Sequence, residues 1–298
     1  MNSQIRELLK PEILNTVSGL ELVARIVVEG FMSGSNKSQS VGAGQEFSQY
    51  RSYQPGDDLR QLDWKMFARS ERYYIKQSEI ETNITVKFML DASHSMSYEE
   101  GGISKFQFAK VMIAALAYLA RKQSDTFGLY VVNDLHIHSV EPRFEQQQFM
   151  RFLNELIEVK SESTWKKGNG LDHVYNHQGK ELIIFFTDLY DDNNDLQHFI
   201  SRLKTIRNEV IVFHLMGKQE MELSYGGSFS FEDLETGQLI KADTRAQQKK
   251  YVDEVTQWIS ASRNWMLEKQ INYQLINSGE EAETVLRSFL TIRKKLMR

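Results

Sequence analysis

No cysteine occurs among the 298 residues. Disulfides, thiolate zinc sites and cysteine nucleophiles are therefore excluded, and the absence fits a reducing compartment. Nor is there an excess of basic charge. The formal net charge is −4, which gives no case for nucleic acid as a partner. No stretch approaches the ~20 consecutive apolar residues of a membrane span. The opening residues MNSQIRELLKPEIL carry charges where a secretory signal needs its apolar core, so a cytoplasmic location is expected. Two catalytic signatures are missing as well. Without G-x-x-x-x-G-K-[ST] the chain is not itself a P-loop ATPase. Ser93 and Ser95 lack the G-x-S-x-G elbow and an identifiable base.

Apolar residues make up 41% of the chain and charged ones 26%, enough to build a sizeable core without staples. Leu8, Leu9, Ile13, Leu14, Val17, Leu20, Leu22, Val23, Ile26 and Val27 recur at helical spacing, with a break admitted at Pro11. The Gly- and Ser-rich run Phe31 to Gly44 reads as a connection. Residues 1–41 are thus expected to be a helical arm and linker. Residues 42–83 are dense in aromatics, Arg and Asp, with a turn at Pro55-Gly56-Asp57. They cannot build a core alone and are expected to be a small β-rich subdomain packed on the main domain.

From Ile84 strands and helices alternate. Ile84 to Leu90 reads as a strand, with Val86, Phe88 and Leu90 on one face. Lys105 to Arg121 is a helix, apolar almost all round from Val111 to Ala120, hence buried. Further strands are expected at Phe127–Val132, Glu181–Thr187, Val210–Leu215 and Ile271–Ile276. Helices are expected at Glu145–Val159, Leu196–Ile206, Arg245–Lys269 and Glu280–Leu296, and a hairpin at Gly227–Asp243 turning at Glu235-Thr236-Gly237. The run ELIIFFT suits a central parallel strand. Such alternation implies a doubly wound, mostly parallel α/β sheet over residues 84–298.

In such sheets ligands sit at the carboxyl ends of the strands, near the point where strand order reverses. Two strands here end in acid: one in Asp91-Ala92-Ser93-His94-Ser95, the other in Thr187-Asp188. If both are central, Asp91 and Asp188 converge. Two carboxylates ~4 Å apart repel by roughly 4 kcal/mol at an effective dielectric of about 20. A cation, a shared proton or a cradle of hydroxyls and amides must offset that. Carboxylate and Ser oxygens are hard ligands suited to Mg²⁺ or Mn²⁺, and after them Ca²⁺. The ordinary alternative is a strand end whose side chains cap the following loop.

The D-x-S-x-S pattern with a later strand-end Asp resembles the von Willebrand factor A fold and its metal-ion-dependent adhesion site. The resemblance implies a metal at Asp91, Ser93, Ser95 and Asp188, held by the hydroxyls with the aspartates acting through water, and a shell that a partner's carboxylate completes. The family's middle loop supplies a Thr. Here that stretch is Lys167-Gly168-Asn169-Gly170-Leu171-Asp172, and Leu171, which cannot ligate, falls at its place; Thr164 and Asn169 are the neighbouring oxygen donors. An occupied cation site and a metal-free structural one both stand as readings. Upstream, FSQYRSYQPGDDLRQLDWKMFAR (Phe47 to Arg69), and downstream FEDLETG (Phe231 to Gly237), resemble the family called domain of unknown function 58. That resemblance implies an adaptor or co-chaperone acting with a MoxR-type AAA+ ATPase on an unknown client.

Arg51, Tyr53, Asp57, Asp58, Arg60, Asp63, Trp64 and Arg69 have a reading of their own. Bidentate Arg–carboxylate pairs and Arg stacked on rings would lock a core-poor segment, or the same charges form a docking face. Other candidates have ordinary explanations. His136 and His138 suit a solvent-facing hairpin. Asp191, Asp192 and Asp195 suit a loop and a helix cap. Arg293, Lys294, Lys295 and Arg298 complement a helix C-terminus. Three functions therefore compete: a non-catalytic protein-binding module, a metal-dependent phosphohydrolase using Asp91 and Asp188, and a metal-free structural interaction domain. The second lacks a general acid, because Ser93 stands where it is needed.

Overall fold

A computed structural model describes residues 9–34, 47–54, 62–78, 84–132, 137–162, 174–175, 180–191 and 194–296. The chain divides into two compact units, residues 1–36 with 84–298, and residues 37–83. The large unit begins with α1 (Pro11–Leu14) and α2 (Val17–Gly34). The small unit holds β1 (Phe47–Ser52), α3 (Trp64–Ser70) and β2 (Tyr74–Ser78). The large unit resumes with β3 (Thr85–Asp91), a 3₁₀ turn at His94–Ser97, the short strands β4 (Glu99–Glu100) and β5 (Ile103–Ser104), and α4 (Lys105–Lys122). Next come β6 (Thr126–Val132), β7 (Ile137–Arg143), α5 (Gln148–Glu158), β8 (Glu181–Thr187) and α6 (Asp195–Leu203). The chain ends with β9 (Asn208–Met216), α7 (Lys218–Glu222), β10 (Ser228–Glu232), β11 (Leu239–Asp243), α8 (Thr244–Glu268), β12 (Asn272–Asn277) and α9 (Ala282–Leu296).

Six strands form the central sheet in the order β12-β9-β8-β3-β6-β7. All pairings are parallel except that of β7, the antiparallel edge strand. The expected doubly wound, mostly parallel α/β sheet is present. Alternation along the strands sends side chains to opposite faces. Val86, Phe88, Leu90, Ile184 and Phe186 join one core with α2, α4, α5 and α9. Met89, Ile183, Phe185, Val210 and Val212 join a second core with α6 and the end of α8. The strand order reverses between β3 and β8, where Leu90 lies beside Phe186. Asp91 and Asp188 therefore leave the sheet side by side.

The helix read as an arm belongs to the large unit. Leu20, Val23, Ala24, Val27 and Val28 form one buried stripe in the first core, and α2 packs on α4 and α9. Helical spacing reveals that a stripe must be covered but does not name the cover. The polar stretch after Met216 contains α7, too short to show periodicity. Arg293 turns to β9, where its guanidinium pairs with Glu209 at 3.0 Å.

In the small unit, β1 and β2 pair antiparallel. Two strands alone are marginal in water, and here rings supply the packing. Phe67 and Tyr73 stack at 4.5 Å, with Trp64 and Tyr53 edge-on at 6.3 Å. Asp63 caps α3, accepting from the amides of Lys65 and Met66. Trp64 and Arg69 are exposed. Asp57, Asp58 and Arg60, and the side chain of Arg51, lie outside the described residues.

A capping box starts α4. The Ser104 hydroxyl accepts from the Gln107 amide at 3.1 Å, and the Gln107 side chain accepts from the Ser104 amide at 3.2 Å. Ser104→Ala is expected to lower stability by about 1 kcal/mol. A shifted urea midpoint with an unchanged slope would show it. No shift would mean that the neighbouring β4–β5 pair alone fixes the helix start.

Candidate functional site

The site is built from the loops that follow β3 and β8. Asp91 has no exposed surface. Its Oδ1 accepts from the Ser93 amide at 2.9 Å, and its Oδ2 from the Thr187 hydroxyl at 2.6 Å. Burial, and then the charge of Asp188, push the Asp91 carboxyl up to about 7, against the pull of the Thr187 and Ser93 hydrogen bonds. The Ser93 and Ser95 hydroxyls lie 3.1 Å apart and bond to one another. All four residues of the expected metal set are thus gathered at one rim. The cradle of hydroxyl and amide groups takes up Asp91.

A cation of the protein's own takes up Asp188. Lys105, the first residue of α4, donates from Nζ to Asp188 Oδ2 at 2.7 Å and to Glu220 Oε1 at 2.9 Å. The side chains of Lys105 and Asp188 are each 3% exposed. Burial works to lower the Lys105 pKa, but the charges of Asp188 and Glu220 outweigh it and hold the ammonium above the ordinary lysine value. Burial raises the Glu220 pKa, with Lys105 opposing. The second Asp188 oxygen accepts from the Tyr190 amide at 3.2 Å.

The hairpin of β10 and β11 reaches the same rim. Asp233 accepts at Oδ2 from the Tyr190 hydroxyl at 2.7 Å, and at Oδ1 from the amides of Glu235 and Thr236. These bonds fix the turn. Glu235 lines the same rim, its Oε1 buried with no hydrogen-bond partner among the described residues, and burial followed by the charges of Asp188 and Asp91 keeps its carboxyl near 7. A pocket of ~320 Å³ lies between, lined by Ser95, Tyr98, Lys105, Asp188, Glu220 and Glu235 among others.

These residues do not fit a resident divalent ion. Asp188 is engaged by an ammonium, both Asp91 oxygens are bonded within the protein, and the Ser95 hydroxyl is bonded to that of Ser93. Among the described residues no three His, Asp or Glu side chains are grouped to hold a metal. Thr164, Asn169 and Leu171 lie outside the described residues.

Sequence reasoning brought Asp91, Ser93, Ser95 and Asp188 together and missed Lys105, Thr187, Glu220 and Glu235. One local signal existed for Lys105. A cation in the first turn opposes the helix dipole, and a lysine at the start of a buried helix needs a partner. The other candidates have local roles. His138 pairs with Glu155 at 2.8 Å, and His136 lies outside the described residues. Asp191 accepts from the Leu196 amide at 2.7 Å, capping α6. Asp195 sits in the first turn of that helix, and Asp192 lies outside the described residues.

The family described as "Protein of unknown function DUF58" matches residues 49–258. An uncharacterized protein of Mycobacterium bovis is 22% identical over 231 residues, covering 76% of this chain and 72% of its own. Among solved structures, the conserved hypothetical protein BatB of Bacteroides thetaiotaomicron superposes with a TM-score of 0.44 at 12% identity, covering 72% of this chain and 100% of its own. The SpRpn10 VWA domain gives a TM-score of 0.39 at 10% identity, covering 69% and 94%. No described helix is long and apolar enough to cross a membrane.

Proposed function

This chain belongs to the protein family of unknown function DUF58, and from that premise we propose that it is a non-catalytic protein-interaction module, an adaptor or co-chaperone working with a MoxR-type AAA+ ATPase. The observation that carries the interaction reading is the hairpin beside the rim. Leu239 is 67% exposed, Ile240 62% and Phe229 41%, on a two-stranded sheet whose turn is tied down by Asp233. Large exposed apolar side chains on a braced hairpin are what a partner surface needs. Phe229, Phe231 and Ile240 share one face by cross-strand register, and Leu239 lies on the other. The rim itself supports binding over turnover. Asp91 is buried with both oxygens hydrogen-bonded, so it offers no accessible nucleophile for phosphoryl transfer.

The ATPase as partner comes from the family likeness alone, and the hairpin gives it a test. Purified chain and purified MoxR-type ATPase are mixed at physiological salt and followed by sedimentation. A complex is expected, and Leu239→Asp with Ile240→Asp should weaken it by about tenfold or more without changing the urea midpoint, since charges there desolvate on docking. No complex for the unmutated chain removes the ATPase reading. A complex indifferent to the two substitutions moves the contact off the hairpin.

A further inference from the structure

We propose that the Lys105 ammonium is the resident cation of the strand-end rim, standing where a divalent ion would otherwise be needed, so that the rim binds neither Mg²⁺, Mn²⁺ nor Ca²⁺. This assignment goes beyond the interaction reading and stands without it. The electrostatics demand a positive charge. Asp91 and Asp188 leave adjacent parallel strands, and Glu220 and Glu235 enter from α7 and the hairpin turn. A buried carboxylate is tolerated only when paired or neutralised.

Two carboxylate oxygens converge on one point, and Lys105 Nζ occupies it at 2.7 and 2.9 Å. Those contacts are slightly longer than the ~2.3–2.6 Å of a Ca²⁺–oxygen bond and well beyond the ~2.1 Å of Mg²⁺, as an N–H donor requires. The third side of the ammonium faces the Tyr98 ring at 5.5 Å, a cation–π contact that adds to the pairing. The carboxylates of the motif are already engaged. Asp188 is held by the ammonium, and Asp91 is spent on Ser93 and Thr187. The Ser95 hydroxyl is bonded to that of Ser93 at 3.1 Å. The position of Lys105 is hard to explain otherwise. A lysine at the positive end of a helix dipole is unfavourable unless its charge is wanted there.

The test is a titration with Mn²⁺ followed by electron paramagnetic resonance, together with thermal midpoints in Mg²⁺ and Ca²⁺, on the full chain. The unmutated protein is expected to bind no stoichiometric Mn²⁺ at millimolar concentration and to show no midpoint shift. In Lys105→Ala the converging oxygens of Asp188 and Glu220 are exposed to solvent ions. Its midpoint should fall, then recover with one-site saturation as Mn²⁺ is added, with affinity at least about tenfold above the parent. Adding Asp188→Asn should abolish the recovery. If Lys105→Ala is insoluble, its refolding yield with and without Mn²⁺ gives the same reading. Submillimolar Mn²⁺ or Mg²⁺ binding by the unmutated chain, lost in Ser93→Ala with Ser95→Ala, overturns the proposal. So does a Lys105→Ala protein that no divalent ion stabilises, because the ammonium would then not stand at a cation point.

Discussion

Lys105→Met is expected to cost about 3–5 kcal/mol of stability at pH 7, since removing one member of a buried ion pair strands the other. The substitution keeps the length and apolar stem of the side chain and deletes only the charged head. Asp188, with a side chain 3% exposed, is then left with the Tyr190 amide, while Glu220, 27% exposed, keeps the Gly217 amide at 2.6 Å. Urea denaturation at pH 7 reads the loss directly. The variant should regain part of it at acid pH, where the stranded carboxyls take up protons and the burial of charge is relieved. A loss under about 1 kcal/mol would put the pair in the class of exposed salt bridges, whose attraction solvent screens. That result would also remove the energetic basis for treating the ammonium as a fixed part of the rim.

This effect lies in the part of the molecule least legible from sequence. The sheet was readable because apolar runs such as ELIIFFT and the buried face of α4 announce their burial whatever they pack on. The Asp91–Asp188 pairing was readable for a topological reason: both residues end runs that must be central strands, and central parallel strands end at one rim. Lys105, Glu220 and Glu235 reach that rim from a helix start, a one-turn helix and a hairpin tip. No spacing rule links those three positions, and only the folded chain brings them together. The same holds for α2, whose apolar stripe was evident while its seat on α4 and α9 was not. In the small unit the density of Arg and Asp conceals the ring stacking, and Phe67 and Tyr73 carry the closest ring contact among its described residues.

A second large effect should appear as acid sensitivity centred on His214. The residue has no exposed surface. Its Nδ1 is 2.6 Å from the Tyr273 hydroxyl, and its ring meets Trp258 edge-on at 4.9 Å. Burial lowers its pKa to about 4; the charge of Asp188 opposes this and that of Lys105 adds to it. The unfolded chain protonates an ordinary histidine near ~6.5. Between those two values the unfolded state holds one more proton than the native state, so stability rises with pH. The contribution, about 3 kcal/mol, is fully present above pH ~6.5 and is lost as pH falls to ~4. Asp91 and Glu235, both raised to about 7, act in the opposite sense, since a carboxyl that holds its proton longer in the native state makes stability fall as pH rises toward 7. The total profile therefore mixes the two trends, and the difference between variants separates them. His214→Asn keeps a polar partner for Tyr273 and removes the titration. Its stability measured from pH 4.5 to 7.5 should lack the rise that the parent gains from histidine, so that the gap between the two proteins widens with pH by up to about 3 kcal/mol. A constant gap would mean that His214 titrates alike in both states and is not held neutral by its burial.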